Sequence, residues 1–326
     1  MVLKSLFTRL AALALGAACL AAAAAEPFPN KEIRLVVPWN AGGSNDIAAR
    51  QLSAILAEDG IRLIVDNVPG ATGSIGMAKV AAAEPDGYTV GMGTSSTLAL
   101  IAQGLTPLKN EQFAPIARVT LDPLVLLVPV GASYGKDLET FLDHVKKNPG
   151  KVSIGTPGNN NLNHIFAVMT GRSAGTEIIA VPYTGGSKVI TDLAGKQIQA
   201  AVLKPSESKG QIDAGLVKPI AVFANERLKN LPNVPTFKEK GYDVFPYGPL
   251  VQMAYIVAPA ATPAPVREKL TQIFRKAIQS AKFRNPTEAS GALVDDVTGA
   301  ALEREINNVQ KSLNEVGKKV FVAEKK

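Results

Sequence analysis

The stretch Arg34-Leu35-Val36-Val37-Pro38-Trp39-Asn40-Ala41-Gly42-Gly43-Ser44-Asn45-Asp46 reads as a buried strand, a Gly-Gly turn and the start of a helix. Leu35, Val36 and Val37 are β-formers in a short apolar run. Pro38 ends the run, because it has no N–H to give to a ladder. Gly42-Gly43 lets the chain turn sharply and lets a ligand approach the backbone with no Cβ in the way. Ser44 or Asn45 is the candidate cap of a helix over 45–58, with Ile47, Leu52, Ile55 and Leu56 as its apolar stripe. A helix start after glycines carries open N–H groups and positive partial charge, which suits an anion. The same letters also fit an ordinary βα connection, so the rest of the chain has to decide.

Outward from this stretch the pattern recurs. Leu63-Ile64-Val65 is a second strand, followed by a Gly-rich turn over 70–76 and an Ala-rich helix to about Ala83. Tyr88 to Gly91 is a third strand, and Gly93-Thr94-Ser95-Ser96-Thr97 opens another helix. Strand and helix in this alternation predict a parallel, doubly wound sheet. The three Gly/Ser/Thr connections then share the carboxyl edge of the strands, where ligands bind in such sheets.

A second series begins at the apolar strand Leu124 to Val130. A helix is expected over 137–147, a strand over 152–155, then the loop Thr156 to Asn163 and a helix to about Met169. Next come a strand over 178–181, the loop Pro182-Tyr183-Thr184-Gly185-Gly186-Ser187 and a helix over 187–194. A strand over 197–203 runs into Lys204-Pro205-Ser206-Glu207-Ser208, and 220–223 is one more strand. Gly248 to Val257 is read as a crossover, Pro263 and Pro265 open a helix to about Ala281, and 298–317 is the last helix. The C-terminal helices are expected to pack back onto the first domain. The predicted organisation is 1–25 as a signal peptide, 26–125 plus 248–326 as a discontinuous first domain, and 126–247 as the second.

Composition agrees with two globular domains. The chain has 326 residues, 46% of them hydrophobic and 19% charged, enough for a sizeable core. Aromatics make up 6%, too few for stacking platforms, and the formal charge of +7 is spread among acids with no basic block. Nucleic acid is therefore not expected as a partner. Lys4 and Arg9 precede an uncharged run from Leu10 to Ala25 that ends in small residues, the pattern of a secretory signal peptide cleaved after Ala25. That run is shorter than the roughly 20 residues a spanning helix needs. The single cysteine, Cys19, lies inside it, so the mature chain has no disulfide and no thiolate metal site. Gly16 stands three residues before Cys19, where lipoprotein processing wants Leu. The expected location is the periplasm.

Enzyme signatures are mostly absent: there is no G-x-S-x-G, no H-E-x-x-H, no Walker loop and no G-x-G-x-x-G after the first strand. Two histidines, His144 and His164, cannot make a His-rich metal site, and no cofactor is implied. His144 is expected at the solvent face of its helix. A triad of Ser95, His164 and a remote Asp keeps an exported hydrolase among the alternatives. The loop Thr156–Asn163 is dense in amides, with Asn159, Asn160, Asn161 and Asn163, and reads either as a solvated helix cap or as a carboxylate cradle. Tyr183 is either a wall of a cleft or a core edge.

Set in order along the chain, these motifs resemble one family. The pieces are Ile33-Arg34-Leu35-Val36-Val37-Pro38 with Gly42-Gly43 and Asp46, Asn67-x-Pro69-Gly70-Ala71-x-Gly73-x-Ile75-Gly76, and Pro85-Asp86-Gly87-Tyr88-Thr89 with Gly93-Thr94. They continue with Asn148-Pro149-Gly150-Lys151, Gly155-Thr156-Pro157-Gly158 with His164, Val181-Pro182-Tyr183-x-Gly185, and Leu231-Pro232-Asn233-Val234-Pro235-Thr236. The chain is similar along its mature length to the periplasmic receptors of tripartite tricarboxylate transporters, the Bug receptors. The resemblance implies an α/β, two-domain periplasmic-binding-protein (flytrap) fold, each domain a mixed, mostly parallel sheet flanked by helices. It further implies a monomeric, non-enzymatic receptor that holds a small organic anion between its domains and delivers it to membrane permease subunits. An extracytoplasmic sensor module is the alternative.

By the same resemblance the ligand meets Trp39, Asn40, Ala41, Gly42, Gly43 and Asp46 in the first loop, with Thr94 and Ser95 beside them. The second domain answers with Gly158, Asn159, Asn160, His164, Tyr183 and Gly185. Lys204 replaces an acid common in the family, and either meets a second ligand carboxylate or points to solvent. Trp39 either stacks on the ligand or packs in the core. The apolar run Leu98-Ala99-Leu100-Ile101 suggests a largely apolar ligand body.

Overall fold

The computed structural model describes residues 28–321. The signal peptide, its cleavage point and Cys19 lie outside the described residues. Within the unit that begins at Glu32, ten strands form two five-stranded sheets.

The first sheet has the order β2-β1-β3-β10-β4. Its strands are β1 (Ile33–Val37), β2 (Leu63–Asn67), β3 (Thr89–Thr94), β4 (Phe113–Leu121) and β10 (Met253–Pro259). The second has the order β7-β6-β8-β5-β9, built from β5 (Leu124–Pro129), β6 (Ser153–Thr156), β7 (Ile179–Pro182), β8 (Ala200–Leu203) and β9 (Val217–Phe223). In each sheet four strands run in one direction, and the fourth in spatial order is antiparallel to both its neighbours. Both sheets are thus mixed and mostly parallel, as the family resemblance implies; the βα alternation alone shows only their parallel part. Residues 248–257, read as a crossover, deliver β10 into the middle of the first sheet.

Helices follow β1, β2 and β3 in the first lobe and β5 to β8 in the second. In the first lobe these are α1 (Ser44–Glu58), α2 (Ser74–Ala81) and α3 (Ser95–Ala102). In the second they are α4 (Leu138–Lys147), α5 (Leu162–Ser173), α6 (Gly186–Ala194) and α7 (Pro205–Asp213). The region after β10 holds α8 (Ala264–Gln279), α9 (Ala281–Ala289) and α10 (Gly299–Val316), which pack on α1, α3 and β4. Ser280 breaks the helix expected to run on to Ala281: its hydroxyl accepts the N–H of Phe283 and caps α9. Helix α1 buries Ala48, Ala49, Leu52 and Leu56, whereas Ile47, assigned to the apolar stripe, is 51% exposed.

The chain passes between the sheets twice. Asp122-Pro123 joins β4 to β5, and 224–252 returns from β9 to β10. The two passages touch, for the Asp122 N–H donates to the Gln252 carbonyl at 2.8 Å. The second lobe carries the denser aromatic core: Phe166 stacks on Phe223, and Phe223 on Phe237, with centroids 4.6 Å apart in both pairs. His144 is half-buried rather than at the solvent face. It stacks on Tyr134, and its ring contacts the side-chain amides of Asn148 and Gln199.

Candidate functional site

The carboxyl edges of the two sheets face a common cavity of about 300 Å³. Its wall is made largely of helix starts. Ser44 and Asn45 open α1, Ser96 lies in the first turn of α3, and Asn161 caps α5, whose second residue is Asn163. Gly186, Ser187 and Lys188 open α6, and Lys204 and Glu207 stand at the start of α7. The first N–H groups of a helix have no partner within it, so five helices bring donors and positive partial charge to one space. A second cavity of about 230 Å³ adjoins the first and shares Gly43, Ser44, Lys204 and Glu207 with it.

The opening stretch builds the first-lobe wall. Gly42 has φ +80°, a left-handed conformation that glycine adopts without strain. Asp46 closes the turn from within: its Oδ2 accepts the Gly42 N–H at 2.9 Å and Arg50 Nε at 2.9 Å. Burial pushes this carboxyl up, but Arg50, the Gly42 N–H and Asn67 together hold it below the usual range. Asp46 is buried and outside the cavity lining, so it shapes the loop. Gly43 takes the N-cap position of α1, not Ser44 or Asn45 as expected. The Ser44 hydroxyl faces the other lobe, accepting from Lys204 Nζ at 3.0 Å and donating to Glu207 Oε1 at 3.4 Å. Trp39 lines the cavity, half-buried, and its Nε1 is enclosed without a hydrogen-bond partner.

Trp39, Asn40, Ala41, Gly43, Gly185 and Lys204 of the expected residues line the main cavity, and Gly42 lines the adjoining one. Thr94 and Ser95 are fully buried. The Ser95 hydroxyl donates to the Val251 carbonyl at 2.6 Å and accepts the Met253 N–H, pegging α3 to the return passage, and Ser96 takes the wall position instead. Leu98 and Leu100 are buried in the lobe core and outside the cavity lining, so they offer no apolar surface to a ligand body. Tyr183 is a core-edge residue. Its ring packs on the second-lobe core, its hydroxyl donates to Asp192 at 3.0 Å, and burial and Asp192 raise its pKa.

The loop before α5 is braced from inside. Asn161 accepts the His164 N–H, and His164 Nδ1 accepts the Asn160 N–H at 3.0 Å. Burial lowers the His164 pKa, which keeps the ring neutral and able to accept. Gly158, Asn159, Asn160 and His164 lie outside the cavity lining, while Asn161 and Asn163 lie in it. Asn159 and Asn160 instead join the lobes. Thr72 Oγ1 donates to the Asn159 carbonyl at 3.3 Å and Gln103 Nε2 to the Asn160 carbonyl at 2.8 Å. Lys204 is 5% exposed and does not reach solvent. Its Nζ lies 3.5 Å from Asp122 Oδ2.

The cavity is also lined by Ser44, Asn45, Ser96, Thr184, Gly186, Ser187, Lys188, Glu207 and Gln252, none of which the sequence pattern marks as a ligand contact. Glu207 had a usable signal. Pro205 two residues before it is a residue favoured in the first helical turn, so Lys-Pro-Ser-Glu marks a helix start on the ligand edge. Among the described residues there is no helix long and apolar enough to cross a membrane and no cluster of side chains suited to a metal ion.

Two mixed α/β sheets, joined by paired passages and enclosing a cleft walled by helix starts, define a two-domain solute-binding protein of the periplasmic-binding-protein class. Residues 47–313 match the tripartite tricarboxylate transporter family receptor, and the chain belongs to that family. It is 32% identical, over 91% of its length and 88% of the relative's, to a UPF0065 protein of the TAR-I ttuE-ttuC' intergenic region of Agrobacterium vitis. The periplasmic binding protein BugD superposes with a TM-score of 0.79 at 28% identity, over 90% of this chain and 98% of BugD. MatC from Rhodopseudomonas palustris, solved with bound malate, superposes with a TM-score of 0.81 at 25% identity, over 89% of this chain and 100% of MatC. Family and fold are those of solute-binding receptors, not enzymes.

Proposed function

We propose that the protein is a non-enzymatic periplasmic receptor that captures a small organic carboxylate between its lobes and hands it to the permease of a tripartite transporter. The observation that carries this reading is the convergence of five helix starts on one cavity of about 300 Å³. Such a wall stabilises an anion through backbone donors and partial charge, with little need of a fixed counter-ion. The volume suits a small organic acid. The malate held by MatC belongs to the same chemical class. The hydrolase alternative loses ground because the Ser95 proton goes to the Val251 carbonyl, and His164 Nδ1 is engaged within its own loop.

In this reading the receptor is exported by its signal peptide, cleaved after Ala25, and acts as a monomer. The lobes are 26–125 plus 248–326, and 126–247, and they close around the ligand about the two passages between the sheets. The bonds from Thr72, Gln103 and Ser44 to the opposite lobe support such closure.

A thermal-shift screen across mono-, di- and tricarboxylates tests the proposal. A ligand that binds only the folded state stabilises it by about 2.7 kcal/mol at a hundred times Kd. At least one carboxylate is expected to raise the melting midpoint in a concentration-dependent way. A broad panel that leaves the midpoint unmoved overturns the reading.

A further inference from the structure

Glu207 stands where the two cavities of the cleft meet. Its two carboxyl oxygens have unlike surroundings. Oε1 accepts from the Ser44 hydroxyl of the opposite lobe at 3.4 Å. Oε2 is enclosed and has no hydrogen-bond partner. Room for this carboxyl exists because residue 186 is glycine: a Cβ there would stand 2.9 Å from both the carboxyl carbon and Oε2. The carboxyl therefore lies directly against residue 186, and alanine there would make it shift.

The nearby cation does not satisfy this acid. Lys204 Nζ donates to Ser44 at 3.0 Å and faces Asp122 at 3.5 Å. Asp122 also accepts from the Thr120 hydroxyl at 2.6 Å. Two carboxyl groups thus share one ammonium at the base of a cleft that otherwise offers donors. Burial pushes the Glu207 carboxyl above its usual range; Lys204 draws it back and Asp122 adds to the rise. An enclosed acceptor with nothing to accept from has lost its hydration without replacement. A ligand donor placed there would replace it, whereas a bare carboxylate or methylene would not.

We infer that Glu207 is a specificity-determining residue of the cleft, reading a hydroxyl or ammonium group carried by the same ligand whose carboxylate meets the helix starts. The preferred ligand is then a hydroxy or amino carboxylate, not the plain acid of the same skeleton. Lys204 then orients Ser44 and offsets the two acids rather than pairing with a second ligand carboxylate. The inference rests on the carboxylate-receptor reading and adds a requirement of its own.

Calorimetric titration of the protein with matched acids tests it. The sets are succinate, malate and aspartate; glutarate, 2-hydroxyglutarate and glutamate; propionate, lactate and alanine. The hydroxy or amino member of at least one set is expected to bind at least about tenfold tighter than its plain parent, the size of one hydrogen bond to a charged group. In Glu207→Ala that ratio falls to within about threefold. Glu207→Gln separates the two donors. A hydroxyl preference partly survives, because the amide oxygen still accepts, while an ammonium preference is lost with the charge. Equal binding of plain and substituted acids, or a ratio that survives in both variants, overturns the inference and leaves the receptor reading standing. Binding of no carboxylate at all overturns both.

Discussion

The two lobes are the same sheet threaded in two ways. Their spatial orders, β2-β1-β3-β10-β4 and β7-β6-β8-β5-β9, correspond strand for strand, and in each the fourth strand runs antiparallel. That strand is the last of the chain in the first lobe and the first of its series in the second. Feeding it from opposite ends of the chain puts both passages side by side beneath the cleft, which suits a hinge. The cavity wall is less symmetrical. The first lobe contributes amides, hydroxyls and backbone from Asn40 to Asn45 and from Ser96, whereas the charged residues in the lining, Lys188, Lys204 and Glu207, all belong to the second. Helix starts come from both sides, two from the first lobe and three from the second, but side-chain charge comes from the second alone; on the proposed function, discrimination among anions would therefore rest with the second lobe.

The largest expected effect breaks the comparison at the core. Phe166 is 1% exposed, stacks on Phe223, and meets Phe245 of the return passage edge-on at 5.7 Å. Phe166→Ala is expected to cost about 3–5 kcal/mol in urea unfolding, because the stack cannot close over the lost ring. It also tests whether the lobes melt together. A single transition that moves as a whole says that the aromatic stack couples them; two transitions, of which one moves, say that it does not.

Much of this frame was legible because its signals are local. The Gly42-Gly43 turn and the βα alternation are decided by residues adjacent in sequence, whereas the caps at Gly43 and Ser280 differ from the expected ones. β4 escaped notice because Pro115 and Arg118 interrupt its apolar pattern. Arg118 is 4% exposed, yet acceptable there, since Asp295 and Glu305 reach it from the C-terminal region. α7 escaped because Ser206, Glu207 and Ser208 look like loop. The same limit applied to the site. Lys204 reads as a free cation until the fold brings Asp122 and Ser44 to it, and Tyr183 and Ser95 read as ligand contacts until Asp192 and Val251 engage their hydroxyls.

A middle-sized effect sharpens the contrast between the lobes through pH. Asp46 in the first lobe is held below its ordinary value of 3.8, so its contribution to stability is present above that pH and is lost as pH falls through the lowered folded value. Asp46→Asn is expected to cost about 1.5–3 kcal/mol at neutral pH, the range for hydrogen bonds to a charged group, and progressively less in acid. Glu207 in the second lobe has the opposite sign. Its folded value lies above the ordinary 4.5, so its contribution is full below 4.5 and declines as pH rises through the folded value. Glu207→Gln is therefore expected to raise the melting midpoint at neutral pH more than in acid. Melting curves of both variants from pH 4 to 8 check this, and slopes of the same sign would refute the division of roles.

The smallest effect concerns the bond that holds the two frames together. Gln103 Nε2 donates to Ala99 in its own lobe and, at 2.8 Å, to the Asn160 carbonyl in the other. Asn160 has φ +54°, and the His164 brace holds it there, so the acceptor is fixed before the lobes meet. Gln103→Ala removes one neutral hydrogen bond, about 0.5–1.5 kcal/mol, and removes it only from the closed form. The melting midpoint without ligand is expected to stay within about 1 °C, while affinity for a carboxylate found in the screen drops about three- to tenfold. That split follows from where the bond lies: a contact between lobes supports closure and therefore binding, whereas a contact within a lobe supports folding. A lowered midpoint with unchanged affinity would place Gln103 among the structural residues, and would leave Ser44, bridging Lys204 and Glu207, as the side chain through which the first lobe senses the charged wall of the second.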